Sequence, residues 1–481
     1  MSATSQPLAI SLTLPGSASL GAFQAGAVSA VARAVHELRA HGVETHVTAI
    51  GGSSAGSIVG LLAAHCLMTG RNVRSMMQTA WVDEVDMDLL RSGGSEAPLS
   101  FHGLREKLIA FLSDYDRFPR EPGRQLDWPI TFQVGLTSLL GYEIDNPGDS
   151  GRIGPTISYV DWTEHRITPE HDTGDLYQDS EATGPTPLDT VLTSAAHPLG
   201  FKSSALDRSN DRDCYRDNRV QNLPEDHTVL WYADGGLIEG RPVGRIVSAS
   251  RNLVSETLGS VSAARLLHLV IDPLASGPAG QAKWAEPESN PGWIDVVRRS
   301  MAIVPTQPLH DDIRGVIEVN TGLQRFEQLR DSGGLDEATA QAVLEWAGMS
   351  DKVHVELGVI SPRGLETGGG VDELLTGDFV GAFGGFLKRS IRASDFALGW
   401  VSAAHWFTSY LPEHEIEAPV IEAVEESLEH DFPDARDLII TGDDGIDVLD
   451  WKGRWRLALL AAQFGRVTVA AATPSLPSRS D

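Results

Sequence analysis

The sequence predicts an α/β fold: a three-layer α/β/α core around a central, mostly parallel sheet, followed by a largely helical C-terminal region. Three observations carry that expectation. Leu8, Ile10, Leu12 and Leu14 alternate with Ala9, Ser11 and Thr13, small residues that let a strand be covered on both faces. A turn-rich Pro15-Gly16-Ser17-Ala18-Ser19 comes next, and Leu20, Phe23, Ala27, Val31, Val35 and Leu38 then recur at three- and four-residue spacing, the stripe of an amphipathic helix. His46 to Ile50 form a second short strand, ended by Gly51 and Gly52, and Ser57 to Leu67 follow as an apolar helix.

The remaining elements continue the pattern. Strands are expected at Ile130 to Leu136, Val229 to Ala233 and Leu266 to Ile271, with a helix near Pro187 to Ala196. Asp145 to Pro187 and Asp207 to Asp226 are rich in Asp, Glu, Gly, Pro and Thr and read as loops or flaps. Surface insertions are therefore expected near 70–128, 145–186 and 203–226. Beyond Pro273 a Gly/Pro/Ala-rich passage to Ala285 suggests a linker, and helical patterns with one strand-like run, Val353 to Ile360, follow it. Gly377 to Tyr410 is rich in aromatic residues, which read as helix-packing core, and Arg392 and Asp395 stand three apart as an ion pair would. The expected division is an α/β domain over 1–272 and a mainly helical region over 273–481, packed on or beside the core.

Composition narrows the function classes. With 66 acidic and 38 basic side chains the formal net charge is -28, which opposes binding to nucleic acid and to anionic lipid surfaces unless a local basic patch intervenes. Cys66 and Cys214 lack the neighbours of a zinc or redox site, so neither a metal nor a disulfide framework is expected, and a reducing cytoplasm fits best. The first residues, MSATSQP, do not have the layout of a secretory leader. Ser57 to Met68 is shorter than the ~20 apolar residues needed to cross a bilayer, and the run after Trp455 is broken by Arg466. At most peripheral membrane contact is expected.

Gly52-Ser53-Ser54-Ala55-Gly56 is a GxSxG pattern between a strand and a helix. A serine on that sharp turn sits in a strained backbone conformation, so the positions two residues either side must be small. Such a serine needs a base, and His268, His310, His354 and His405 all follow it. An α/β-hydrolase sheet, however, places several strands ahead of its nucleophile, and only two precede Ser54. Tyr232-Ala233-Asp234-Gly235-Gly236 offers another partner: a carboxylate at the carboxyl end of a strand, where residues of open α/β sheets act, with glycines clearing space around it. The loop from Pro15 to Gly21 delivers small-residue backbone to the start of a helix, where free N–H groups can face a developing oxyanion. Neither GxGxxG nor a Walker motif is present, which argues against nucleotide binding.

Taken in order, these pieces resemble the patatin-like phospholipase family. The matches are the glycine loop with Gly21 and Gly26 five apart, GSSAG from Gly52 to Gly56, the segment Ser194 to Phe201 with Pro198 inside it, and Asp234-Gly235-Gly236 with Pro242 downstream. The resemblance covers roughly residues 8–272 apart from the acidic loops, and implies a patatin-like fold and a Ser-Asp dyad without histidine. It would make Ser54 the nucleophile, Asp234 the general base and the N–H groups of Gly16, Ser17 and Ala18 the oxyanion donors. The implied activity is carboxylic-ester hydrolysis of a lipid or smaller acyl ester through an acyl-enzyme, with no cofactor and no metal. Two departures stand out. Leu20 occupies a position that is basic in the family, and Ser17 or Ala18 would be strained if the loop required φ > 0 there. Gly240 replaces a frequent asparagine. The rival expectations are a non-catalytic lipid- or protein-binding module, an acyltransferase, or a histidine-dependent hydrolase.

Overall fold

The structure, a computed structural model, describes residues 6–91, 97–146, 154–169, 173–178, 184–198, 200–224, 228–275, 307–350, 352–365, 374–378, 382–413, 416–440 and 448–472, with positions 292 and 296. Its centre is one mixed sheet. The strands are β1 (Leu8–Leu14), β2 (Thr45–Gly52), β3 (Ile130–Ile144), β4 (Thr156–Ile167), β5 (Ser204–Asp207), β6 (Val229–Ala233), β7 (Arg265–Ile271) and β8 (Val355–Ile360). They run in the order β5-β6-β3-β2-β1-β7-β8, and β4 pairs with β3. From β3 to β8 the neighbours on this path are parallel, whereas β4 and β6 pair antiparallel with β3. β1 is buried along its whole length, as its alternation of large and small residues requires.

Helices close both faces. On one side α1 (Gly21–Ala40) and α2 (Ala55–Thr69) pack on β1 and β2, and the stripe Phe23, Ala27, Val31, Val35 and Leu38 is fully buried there. α3 (Val73–Gln78), α4 (His102–Ser113) and α5 (Pro187–Ser194) extend that layer. On the other side Val243, Val247 and Val254 of α6 (Val243–Leu258) meet Ala9, Leu266 and Val270, and Ile313 and Val316 of α7 (Gln307–Asp331) lean on the same cluster. α8 (Glu337–Trp346) follows, then β8, which extends the sheet beside β7.

Farther along, α9 (Arg389–Tyr410), α10 (Ala418–Asp431) and α11 (Trp451–Ala472) complete the helical C-terminal region. α9 lies directly on α1. A Cβ on Gly26 would stand 1.9 Å from the carbonyl oxygen of Phe396, and one on Gly399 would stand 1.9 Å from that of Phe23, so the two helices touch backbone to backbone. Phe396, Trp400 and Phe407 of α9 are buried in the main core together with Leu12 and Phe23. The aromatic run thus packs helices, as expected.

Several expectations need correction. The acidic stretch read as a flap between 145 and 187 contains β4, a twelve-residue strand paired with β3 from Ile130 to Ile144. Its polar and apolar residues follow no strict alternation, with Thr163 to Arg166 all polar, which hides this edge strand among the flanking Asp and Gly. The second flap holds a helical turn at Arg212–Asp217. Residues near 70–128 carry Met76, Met77, Trp81 and Phe111 into the main core. Arg392 and Asp395 form no ion pair: Arg392 donates to the carbonyls of Val82 and Gly385, and the buried Asp395 accepts from Gly377 N. Leu199 and most of the Pro273–Ala285 passage lie outside the described residues.

Candidate active site

The turn from β2 into α2 holds Ser54 at φ 51°, ψ -130°, a combination an L-residue adopts only when its surroundings force it. The forcing groups are visible. A Cβ at Gly52 would come within 2.5 Å of the Leu14 carbonyl oxygen and one at Gly56 within 2.1 Å, so β1 presses on the elbow from below. Ser54 N donates to Ser194 Oγ at 2.8 Å, and Ser194 Oγ donates to Gly135 O at 2.7 Å, which ties the elbow to the end of α5 and to β3. Ser57 Oγ donates to Ser54 O at 2.6 Å.

Asp234 stands at the carboxyl end of β6, held by its own backbone: its N–H donates to Ala196 O at 3.1 Å and its carbonyl accepts from Thr137 Oγ1 at 2.8 Å. Gly235 has no room for a side chain, since a Cβ would meet Gly135 O at 2.0 Å. The carboxylate is buried, with Oδ1 accepting from Gly236 N at 2.7 Å and Oδ2 in no formed hydrogen bond. Burial pushes its pKa up to about 6; the Ser54 hydroxyl beside it and the Gly236 N–H pull in the other direction and only partly compensate. A carboxyl tuned to that range is charged at neutral pH yet still basic enough to accept a proton.

The first loop lies against this pair. A Cβ on Gly16 would be 3.1 Å from Ser54 Cβ and 3.7 Å from Gly236 Cα. Gly16 N already donates to Ser53 Oγ at 3.1 Å, and Ser53 Oγ donates to Gly240 O at 2.9 Å, so this N–H is committed to bracing the loops. Ala18 takes φ 46°, the strained conformation anticipated for a non-glycine residue here, while Ser17 stays at φ -148°. Ser17 Oγ donates to Gln24 Oε1 at 3.0 Å, and Gln24 Nε2 reaches Pro15 O at 2.8 Å and Ile271 O at 3.3 Å. Gln24 is fully buried, and it is this clamp that sequence reasoning missed; a lone amide on an otherwise apolar helix stripe was the available signal. Ser19 bridges to the C-terminal region, donating to Ala382 O at 2.6 Å and accepting from Gly385 N at 2.9 Å. Leu20, at the family's basic position, is fully buried. Gly21 gives space to Trp81, whose ring a Cβ would meet at 2.5 Å, and Pro198 is exposed in the turn after α5.

Among the described residues no histidine hydrogen-bonds Ser54. His268 is buried in β7 between the hydroxyls of Ser11 at 2.8 Å and Thr13 at 3.1 Å, and burial pushes its pKa down to about 3. Among the described residues no three His, Cys, Asp or Glu side chains converge as metal ligands would. A cavity of about 630 Å³ beside α5 is lined by Phe101, Arg105, Asp189, Leu192 and Asn210 and by none of the residues above; geometry rather than cavity size marks the site.

An α/β domain with a strained serine at the carboxyl edge of its sheet, facing a buried aspartate, is the class these features define. Residues 12–246 match the family model described as patatin-like phospholipase. A comparison with curated proteins finds no match. The crystal structure of VipD from Legionella pneumophila is similar at 10% identity and a TM-score of 0.26, over 98% of this chain and 88% of that one, a likeness too low to inform this site.

Proposed function

We propose that the protein is a serine acyl-ester hydrolase that works through a Ser54-Asp234 dyad. The observation that carries this reading is the strained Ser54 backbone beside a buried Asp234 whose pKa is about 6. Asp234 removes the Ser54 hydroxyl proton as Oγ attacks the ester carbonyl carbon. The resulting oxyanion faces the N–H groups of Ser17 and Ala18; Gly16 drops out of the donor set because Ser53 already takes its N–H. Collapse of the tetrahedral species expels the alcohol, which leaves with the proton from Asp234, and Ser54 is acylated. Water, deprotonated by Asp234, then releases the acid.

The substrate class that fits the family is a carboxylic ester of a phospholipid, lysophospholipid or neutral lipid, or of a smaller acylated metabolite. Every residue of this scheme falls within 1–272, and we propose that 273–481 serves as a helical cover on that unit. Labelling with a fluorophosphonate probe tests the reading whatever ester the protein cleaves, because the probe reports an activated serine directly. Wild type should label and Ser54→Ala should not; equal labelling of both, or none of either, would sink it.

A further inference from the structure

β3 pairs regularly with β4 up to Thr137↔Val160 and resumes at Tyr142↔Ser158, so four residues of β3 stand opposite Tyr159 alone. The surplus chain is Ser138-Leu139-Leu140-Gly141, and its two leucines project into solvent. The bulge is built rather than frayed. Gly141 takes φ 70°, a Cβ there would meet the Tyr159 ring at 2.9 Å and Ile157 at 3.0 Å, and its carbonyl accepts from Asn222 Nδ2 at 2.8 Å.

The residues around it share one face. Tyr142 and Tyr232 join their hydroxyls at 3.2 Å on the buried side of the sheet, so their chain neighbours Gly141 and Trp231 lie on the opposite side, where Ile157 and Tyr159 flank Gly141. β6 pairs with β3 through Thr137↔Ala233 and Ser138↔Tyr232, which brings Trp231 to the root of the bulge, with Val229 two residues along the same face of β6. Leu139, Leu140, Ile157, Tyr159, Val229 and Trp231 are each between two-fifths and two-thirds exposed. Residues 137–142, 156–160 and 228–233 contain no charged side chain, in a protein of net charge -28. The patch borders the site: Thr137, at the root of the bulge, holds the Asp234 carbonyl, and β6 ends at Ala233, immediately before Asp234.

We propose that this bulge and the strand face beside it form a docking surface for an uncharged or zwitterionic lipid bilayer, with Leu139 and Leu140 entering the acyl region and Tyr159 and Trp231 at the headgroup level. The physical case is one of matching. An apolar patch with aromatic residues, bordered by the acidic Asp207 opposite Val229, suits an interface that a strongly acidic surface meets without repulsion only where the lipid carries no net negative charge. A patch offered to an anionic surface would carry lysine or arginine, and these segments have none. The proposal rests on the hydrolase reading only for why a lipid, rather than another apolar partner, is brought to this rim.

Flotation of the full chain with phosphatidylcholine vesicles tests it, in a Ser54→Ala background so that turnover cannot change the lipid. The expected result is retention that hardly changes with salt, falling at least about tenfold in Leu139→Asp/Leu140→Asp and rising in Leu139→Trp/Leu140→Trp, with equal melting temperatures. Retention unchanged by the aspartates overturns the proposal. So does a wild-type dimer in solution that the aspartates dissolve, with no vesicle retention, because the occupant would then be a second copy. Fluorophosphonate labelling of the chain with its native Ser54, Leu139 and Leu140 keeps the two readings apart: labelling without vesicle retention sinks the docking surface alone, and retention without labelling sinks the hydrolase alone.

Discussion

At the residue scale, Ser54 and Asp234 behave as one unit in the proposed chemistry. Ser54→Ala and Asp234→Asn should each lower ester hydrolysis by several orders of magnitude, and the double variant should be little worse; additive losses measured in kcat/KM would contradict the pairing. Because the base must be unprotonated, kcat/KM should climb as pH rises through about 6 and then level. Stability runs the other way. A carboxyl raised from 3.8 to about 6 binds its proton more tightly folded than unfolded, so the native state loses stability as pH rises across that window. Asp234→Asn should therefore melt higher than wild type at pH 8, by at most about 3 kcal/mol, with the difference gone near pH 4. Thermal melts at both pH values check this, and an equal offset at both would count against it. Ala18, at φ 46°, makes a separate point: Ala18→Val should cost about 2 kcal/mol while Ala18→Gly costs nothing, read as urea midpoints. The motif residues were legible because glycine and serine at fixed spacing signal a backbone shape. Gln24, Ser53 and Thr137, which hold that shape, were not, since each is a common polar residue whose role exists only in the partners the fold brings to it. Leu20 was the reverse case: its neighbours on the helix stripe indicated packing, and it is fully buried.

At the scale of elements, β1, β2, β7 and α1 were legible because burial on both faces, or on one stripe, writes itself into hydrophobic periodicity. β4 and the bulge in β3 were not, because an edge strand with mixed faces has no such periodicity and a bulge is defined by its partner strand. The crossing of α1 and α9 was equally hidden: aromatic residues announced a packed helix, but nothing local said that Gly26 and Gly399 meet the partner's backbone. Gly399→Ala should cost toward the top of the roughly 1–3 kcal/mol range for overpacking, since its Cβ would face the Phe23 carbonyl at 1.9 Å. It should also lower kcat, because a displaced α1 carries Gln24 and with it the Ser17 loop. Unchanged kcat at full occupancy of the folded state would show that the first loop is set independently of α9.

For the molecule as a whole, the division at 272/273 and the packing pull in different directions. The chemistry proposed here sits before that boundary, yet α9 and β8 cover helix α1 and strand β7 from beyond it. A chain ending at Asp272 should accordingly lack a cooperative thermal transition and go without fluorophosphonate labelling, while the full chain melts as one unit. A sharp transition in the shorter chain would instead make 273–481 dispensable. The charge of -28 acts at this scale too, screened only over ~8 Å at physiological salt, and it opposes an anionic bilayer more than the uncharged bulge opposes a neutral one.

The backbone crossing of α1 and α9 also sets an order of events in time. α1 ends at Ala40 and its cover ends at Tyr410, so about 370 residues are synthesised between them. At ribosomal speeds that is roughly 20–70 s during which Phe23 and Gly26 have emerged and α9 has not arrived to cover them. The elbow serine, the aspartate and the glycine loop all leave the ribosome before α9, the helix that packs on α1. Under the chemistry proposed above, a nascent chain would carry Ser54 and Asp234 and still be inert until α9 is made.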